Sequence, residues 1–156
     1  MLWSFIGAFF GIAVVSVLHS YWLSNIDKVG LIGSMGAAAI LLYGTQSPLA
    51  QPRNVLGGNV ISALVGVSLH YAFASVPEYN WIADALAVAI SLTLMQLTKT
   101  VHPPAGATAL IFVSDSRVWH LGFLYVVVPV IFGFFLMVLV ALIIMNIKLR
   151  YPKHWV

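Results

Sequence analysis

Six apolar runs, separated only by short turns, govern what this chain can become. They cover about 2–22, 29–44, 55–76, 82–98, 102–113 and 121–147. The first, third, fourth and sixth approach or exceed the roughly 20 residues a helix needs to span a hydrocarbon core. Soluble domains carry about 25% charged residues; this chain has 7% and is 62% hydrophobic, so water cannot be its solvent. The expected fold is therefore an all-α integral membrane protein, one transmembrane domain over residues 1–156 with no room for a separate soluble domain. A net charge of +3 without any basic run gives nucleic acid no footprint, and zero cysteines exclude disulfides, thiolate catalysis and Cys-based metal sites. The first run is longer than a signal-peptide core and lacks a cleavage site, so it reads as a retained helix.

Turn sequences such as Ser47–Asn54, Pro77–Asn80 and Ser114–Arg117 bound the runs, and Trp3, Trp22, Trp81, Trp119 and Trp155 all fall at run ends, as in an interfacial aromatic belt. The halves, about 1–77 and 78–156, also repeat. Gly33–Leu42 lies seventy positions before Pro103–Phe112, aligning Gly36 with Gly106, Ala37 with Ala107 and Ala39 with Ala109. With six crossings and a cytoplasmic N-terminus, Arg53, Lys99, Lys148, Arg150 and Lys153 fall inside, against Lys28 and Arg117 outside. That bias predicts an inverted three-plus-three repeat with two broken half-helices and both termini cytoplasmic; the expected location is a bacterial inner membrane.

The two short runs are the candidate site, because paired Gly/Pro-broken segments at matching places in two repeats point to a transporter's binding site. Proline suits the first helical position, so Pro103 and Pro104 should open a helix reaching about Val113, with His102 before it. Gly33 and Ser34 should open its counterpart. Helix starts attract anions; two of them meeting near the midplane would frame an anion pocket from Gly33, Ser34, Met35 and Gly36 and from His102, Pro103, Pro104, Ala105 and Gly106, with Gly36 and Gly106 admitting close approach. Lys99 and Arg53 either add charge there or snorkel to headgroups. His102 is a proton carrier, an anion ligand or a cap.

Asp84 is either a proton carrier or counter-ion to Lys99, or an interfacial acid beside Trp81 and Glu78. Asn54, Asn59 and Gln51 are loop or lining groups. Thr93, Gln96 and Thr98 hold helices together or line the path. Gly7–x3–Gly11 and Ser62–x3–Gly66 are close-packing features, and His19 and His70 are structural. The histidines lack metal-ligand spacing, and no nucleophile–base pair or phosphate loop is present. No enzyme activity, metal or cofactor is expected.

Val101-His102-Pro103-Pro104-Ala105-Gly106-Ala107-Thr108-Ala109-Leu110 closely resembles the motif that names the HPP transmembrane family. Gly33–Gly44 followed by Ser47–Gly58 resembles that family's other signature, and the resemblance covers nearly the whole chain. The family is usually described with about four transmembrane helices, from which six crossings depart. Its chloroplast and cyanobacterial members are described as nitrite transporters, so the resemblance implies nitrite as cargo, where helix-end physics alone implies a small anion. The rivals are a non-transporting scaffold and a channel for a cation or water. So thin a bundle should oligomerise, most simply as a homodimer.

Overall fold

A computed structural model describes residues 1–25, 30–147 and 150–153. Lys28, Lys148 and Trp155, used above for topology, lie outside the described residues. Helix α1 spans Leu2–Leu18 and ends in a wider π turn, His19–Leu23. Helix α2 spans Gly33–Gly44, α3 Pro52–Phe73, α4 Asn80–Leu97, α5 Pro103–Ser114, α6 Ser116–Trp119 and α7 Phe132–Ile144. No strand occurs among the described residues.

Four helical stretches are long and apolar enough to cross a membrane: Leu2–Leu23, Pro52–Phe73, Pro77–Leu97 and Val126–Ile147. Helices α2 and α5 have 12 residues each, about 18 Å at 1.5 Å per residue, short of the ~30 Å core. Prolines set several starts. Pro52 and Pro103 each occupy the first helical position after an extended residue, where a missing N–H removes no intrahelical bond. The sixth run is not one helix as its apolarity suggests. Residues 126–131 form a π segment with non-helical backbone at Val128, because Pro129 has no N–H to continue the ladder.

Contacts between helices fix their directions. A methyl group added at Gly7 would sit 2.7 Å from the Tyr43 ring, while Val15 lies near Gly133, as does Met35. Thus α1 runs antiparallel to both α2 and α7. Gly58 at the start of α3 abuts Met95 and His102, whereas Leu69 and Phe73 at its end pack with Ala83, Ala87, Ala109 and Val113. So α3 runs antiparallel to α4 and parallel to α5. The starts of α1, α3 and α5 therefore share one end of the bundle with the ends of α2, α4 and α7. That first end carries Arg53, Lys99, Arg150 and Lys153; the described acids, Glu78, Asp84 and Asp115, sit at the opposite end with Arg117.

The core centres on Tyr43, Phe112, Tyr125, Phe134, Met35 and Met137, all buried. Buried phenols require partners: Tyr43 donates to the Met137 carbonyl at 2.7 Å, Tyr125 to Thr108 at 3.0 Å and Tyr151 to Ala50 at 2.9 Å. Outside, apolar residues face outward around the bundle, with Phe5 69%, Ile40 73%, Leu97 74% and Ile143 70% exposed. A bundle apolar inside and out belongs in lipid.

Candidate functional site

Helices α2 and α5 lie side by side and antiparallel, joined by buried polar groups. Thr108 Oγ1 is 2.6 Å from Asn59 Oδ1 and 2.8 Å from Ser34 Oγ, and all three side chains are fully buried. Threonine has one hydroxyl proton. The amide oxygen can only accept, so Thr108 donates to Asn59 and the Ser34 hydroxyl donates to Thr108. Asn59 also donates from Nδ2 to the Val55 carbonyl at 2.8 Å, holding its amide in place. One polar bridge thus links α2, α5 and α3 at the bundle centre.

The start of α5 is sealed. Pro103 and Pro104 bring no N–H, and Ala105 N–H donates to the His102 carbonyl at 2.9 Å. His102 is fully buried beneath Phe134, with Nδ1 2.9 Å from the Leu49 carbonyl. A carbonyl only accepts, so Nδ1 carries the proton and Nε2 keeps its lone pair. Around it, Asn54 Nδ2 donates to Val101 at 2.8 Å and Arg53 Nη2 to Thr98 at 3.0 Å. The C-terminal residues strap the adjoining loop: Tyr151 holds Ala50, and the Lys153 amide donates to Gln51 Oε1 at 2.9 Å.

The start of α2 is open. Gly33 is exposed and lines a cavity of about 620 Å³ with Leu31, Ile32, Ile111, Asp115, Arg117 and His120. Asp115 caps α6 by accepting from the Arg117 amide, and it pairs with the Arg117 guanidinium at 2.6 Å. Those hydrogen bonds from Arg117 hold the Asp115 carboxyl below the usual carboxylate range.

The two helix starts consequently do not meet. Ser34 lies against Thr108 and Gly33 near Ile111, the far half of α5. Because α2 and α5 overlap antiparallel, their starts point to opposite ends of the bundle, so the expected single pocket between them is replaced by a shared wall. Met35 is buried against Gly133, and Pro104 and Ala105 are buried while Pro103 is exposed. Gly36 has no atom within 4 Å of where a side chain would begin, and Gly106 faces Val88 of α4. Neither glycine borders the polar bridge.

Lys99 is exposed at φ +56°, ending α4 in a turn where its own N–H donates to Gln96 and the Thr100 N–H to Met95. This is a helix-ending motif usually built on glycine. Arg53 caps the same helix end rather than lining a pocket. Asp84 accepts from Ser114 Oγ at 2.7 Å, at the end of α4 opposite Lys99, which rules it out as that lysine's counter-ion. Thr93 and Thr98 bond back to carbonyls of their own helix. The groups sequence reasoning passed over are Thr108 and Tyr125. A buried threonine five residues past the first proline is the signal that was available. Among the described residues no three His, Cys, Asp or Glu side chains group to hold a metal.

An all-helical bundle with apolar surfaces, four membrane-length helices and two half-length ones defines an integral membrane protein. The chain belongs to the HPP transmembrane family, whose transmembrane-region model matches residues 1–152. Two Dictyostelium discoideum transmembrane proteins are similar to it, 41% and 39% identical over 156 aligned positions and 98% of this chain. The match covers 50% and 55% of their own lengths, so the chain spans about half of these relatives. No solved structure matches.

Proposed function

We propose that this chain is a small-anion transporter or channel, with nitrite as the leading cargo. The observation that carries this reading is the pair of half-length helices, α2 and α5, packed antiparallel and joined by the fully buried Ser34–Thr108–Asn59 bridge. Buried hydroxyl and amide groups in a membrane bundle join helices or line a path, and half-helices at the interface of two repeats mark transporter sites. The inverted three-plus-three repeat is part of the proposal: α1, α2 and α3 each run opposite to their counterparts α4, α5 and the segment ending in α7. The anion would enter beside Gly33 and Ser34, where the α2 start opens on the cavity containing Arg117 and His120. The sealed α5 start, with His102, Pro103, Pro104 and Ala105, would be the closed gate at the other end. Lys99 and Arg53 would draw anions toward that gate from outside it.

The excess of Arg and Lys at the first end, Arg53, Lys99, Arg150 and Lys153 against Arg117 at the other, supports placing both termini in the cytoplasm. A bacterial inner membrane and a homodimer remain elements of the same reading. Nitrite rests on the family resemblance alone.

The test is uptake of nitrite, nitrate, chloride and formate into liposomes holding the purified protein. Selective nitrite entry is the expected result. Folded, inserted protein that passes none of the four would leave a non-transporting scaffold as the better account.

A further inference from the structure

Three buried side-chain polar atoms among the described residues lack a hydrogen-bond partner: Ser62 Oγ, Ser91 Oγ and His102 Nε2. The two serines are not scattered. On α3, Gly58, Ser62 and Gly66 follow one another at four-residue spacing and share a face. A methyl group at Gly58 would meet Met95 of α4 at 3.1 Å and His102 at 2.9 Å, and one at Gly66 would meet the Ala109 backbone of α5. Ser62 lies between those contacts, facing the seam of α4 and α5. Because α4 is antiparallel to α3 with Met95 level with Gly58, one turn along each helix brings Ser91 level with Ser62. The same turn on α5 reaches Ala105, which is fully buried.

The rest of this seam is Ala83, Ala87, Ala105 and Ala109, all fully buried. Two serines in such a layer, neither bonded to its own helix, leave hydroxyls with an uncompensated desolvation penalty. Alanine would pack there without that penalty. Next to Ser62 on α3, Asn59 has a second amide hydrogen beyond the one given to Val55. The layer thus offers neutral donors.

We infer that Ser62 and Ser91 coordinate the transported anion, a small monovalent ion stripped of its water, at the seam of α3, α4 and α5. This rests on the transport reading and locates its central station. Neutral donors hold an anion without trapping it as a buried cation would, which suits passage.

The experiment measures nitrite binding by calorimetry on detergent-purified protein, and nitrite uptake in liposomes, for wild type, Ser62→Ala, Ser91→Ala and the double variant. Ser68→Ala, on the exposed side of α3, serves as control. Each single variant should weaken binding about tenfold or more, as expected for a bond to a charged group, and slow uptake, with Ser68→Ala unchanged. Unfolding temperatures should hold or rise, since alanine removes an unpartnered hydroxyl. Should an alanine variant unfold instead, Ser62→Cys, which keeps the size and a weak donor, should bind at an intermediate level; wild-type affinity there would overturn the site. A double variant that binds and transports like wild type sinks the site and leaves the transport reading standing. Wild-type protein that neither binds nor passes any of the four anions removes both.

Discussion

The starts of α2 and α5 carry matching sequence and have opposite fates. Gly33 and Ser34 begin α2 at an open cavity beside Arg117 and His120. Pro103 and Pro104 begin α5 in a closed plug, where Ala105 bonds to His102, His102 to Leu49, and Tyr151 holds the loop from behind. The side walls differ too. Helix α5 is clamped against α3 through Gly58 and Gly66, while Gly36 and Gly44 of α2 have nothing within 4 Å. A repeat in sequence therefore need not be a repeat in role. Two prolines and a histidine close one helix start where its counterpart stays open.

The comparison breaks first at the side walls. Gly66→Ala drives a methyl group to 2.6 Å from the Ala109 carbonyl and should destabilise the protein by about 1–3 kcal/mol. Gly36→Ala enters open space and should be neutral or stabilising by up to about 1 kcal/mol. Thermal unfolding in detergent checks the pair, and equal losses would erase the distinction between a clamped and an open side wall. His102→Ala empties the plug and strips the Leu49 carbonyl of its donor, an expected loss of about 2–4 kcal/mol. The same variant should alter the pH dependence of uptake if His102 carries a proton; an unchanged profile leaves it purely a seal.

Thr108→Val deletes both contacts of the central bridge and should cost about 1–3 kcal/mol, with loss of uptake. Uptake at wild-type rate would show that the bridge only holds the helices together. The smallest effect belongs to Asp115→Asn at the open cavity. Arg117 depresses the Asp115 pKa, so the pair's contribution is complete above the usual carboxylate range and fades only as pH falls below it. The pair is exposed, so an acid-unfolding titration of the variant should show only a slight loss at neutral pH and a weaker acid dependence.

Much of the fold was legible because lipid enforces simple rules. The apolar runs marked the four membrane-length helices and the two half-length ones, and the prolines placed the α5 start at Pro103, whereas the break at Val128 and Pro129 was hidden inside a run that reads as continuous over 121–147. Gly7 and Gly11 read as packing positions, and both abut Tyr43. The site was less legible. Its expected convergence assumed that two helix starts would face each other, but whether half-helices meet end to end or overlap depends on tertiary packing, which spacing does not encode. That α5 lacks free amides could have been read directly from Pro103-Pro104, since neither residue has an N–H. The partnership of Ser34, Asn59 and Thr108 could not, because it joins three helices across 49 to 74 positions.

The most direct measurement uses the absence of cysteine: single variants Gly33→Cys and Thr100→Cys, each with one thiol, exposed in oriented vesicles to a membrane-impermeant thiol reagent from either side. Gly33 lines the open cavity, and Thr100, 6% exposed, is packed against Gly57 and Gly58 in the plug. The account predicts rapid labelling of Gly33→Cys from the acidic end of the bundle, and resistance of Thr100→Cys from both sides until the protein is unfolded. Equal labelling of the two, or a reactive Thr100→Cys with a silent Gly33→Cys, would contradict it.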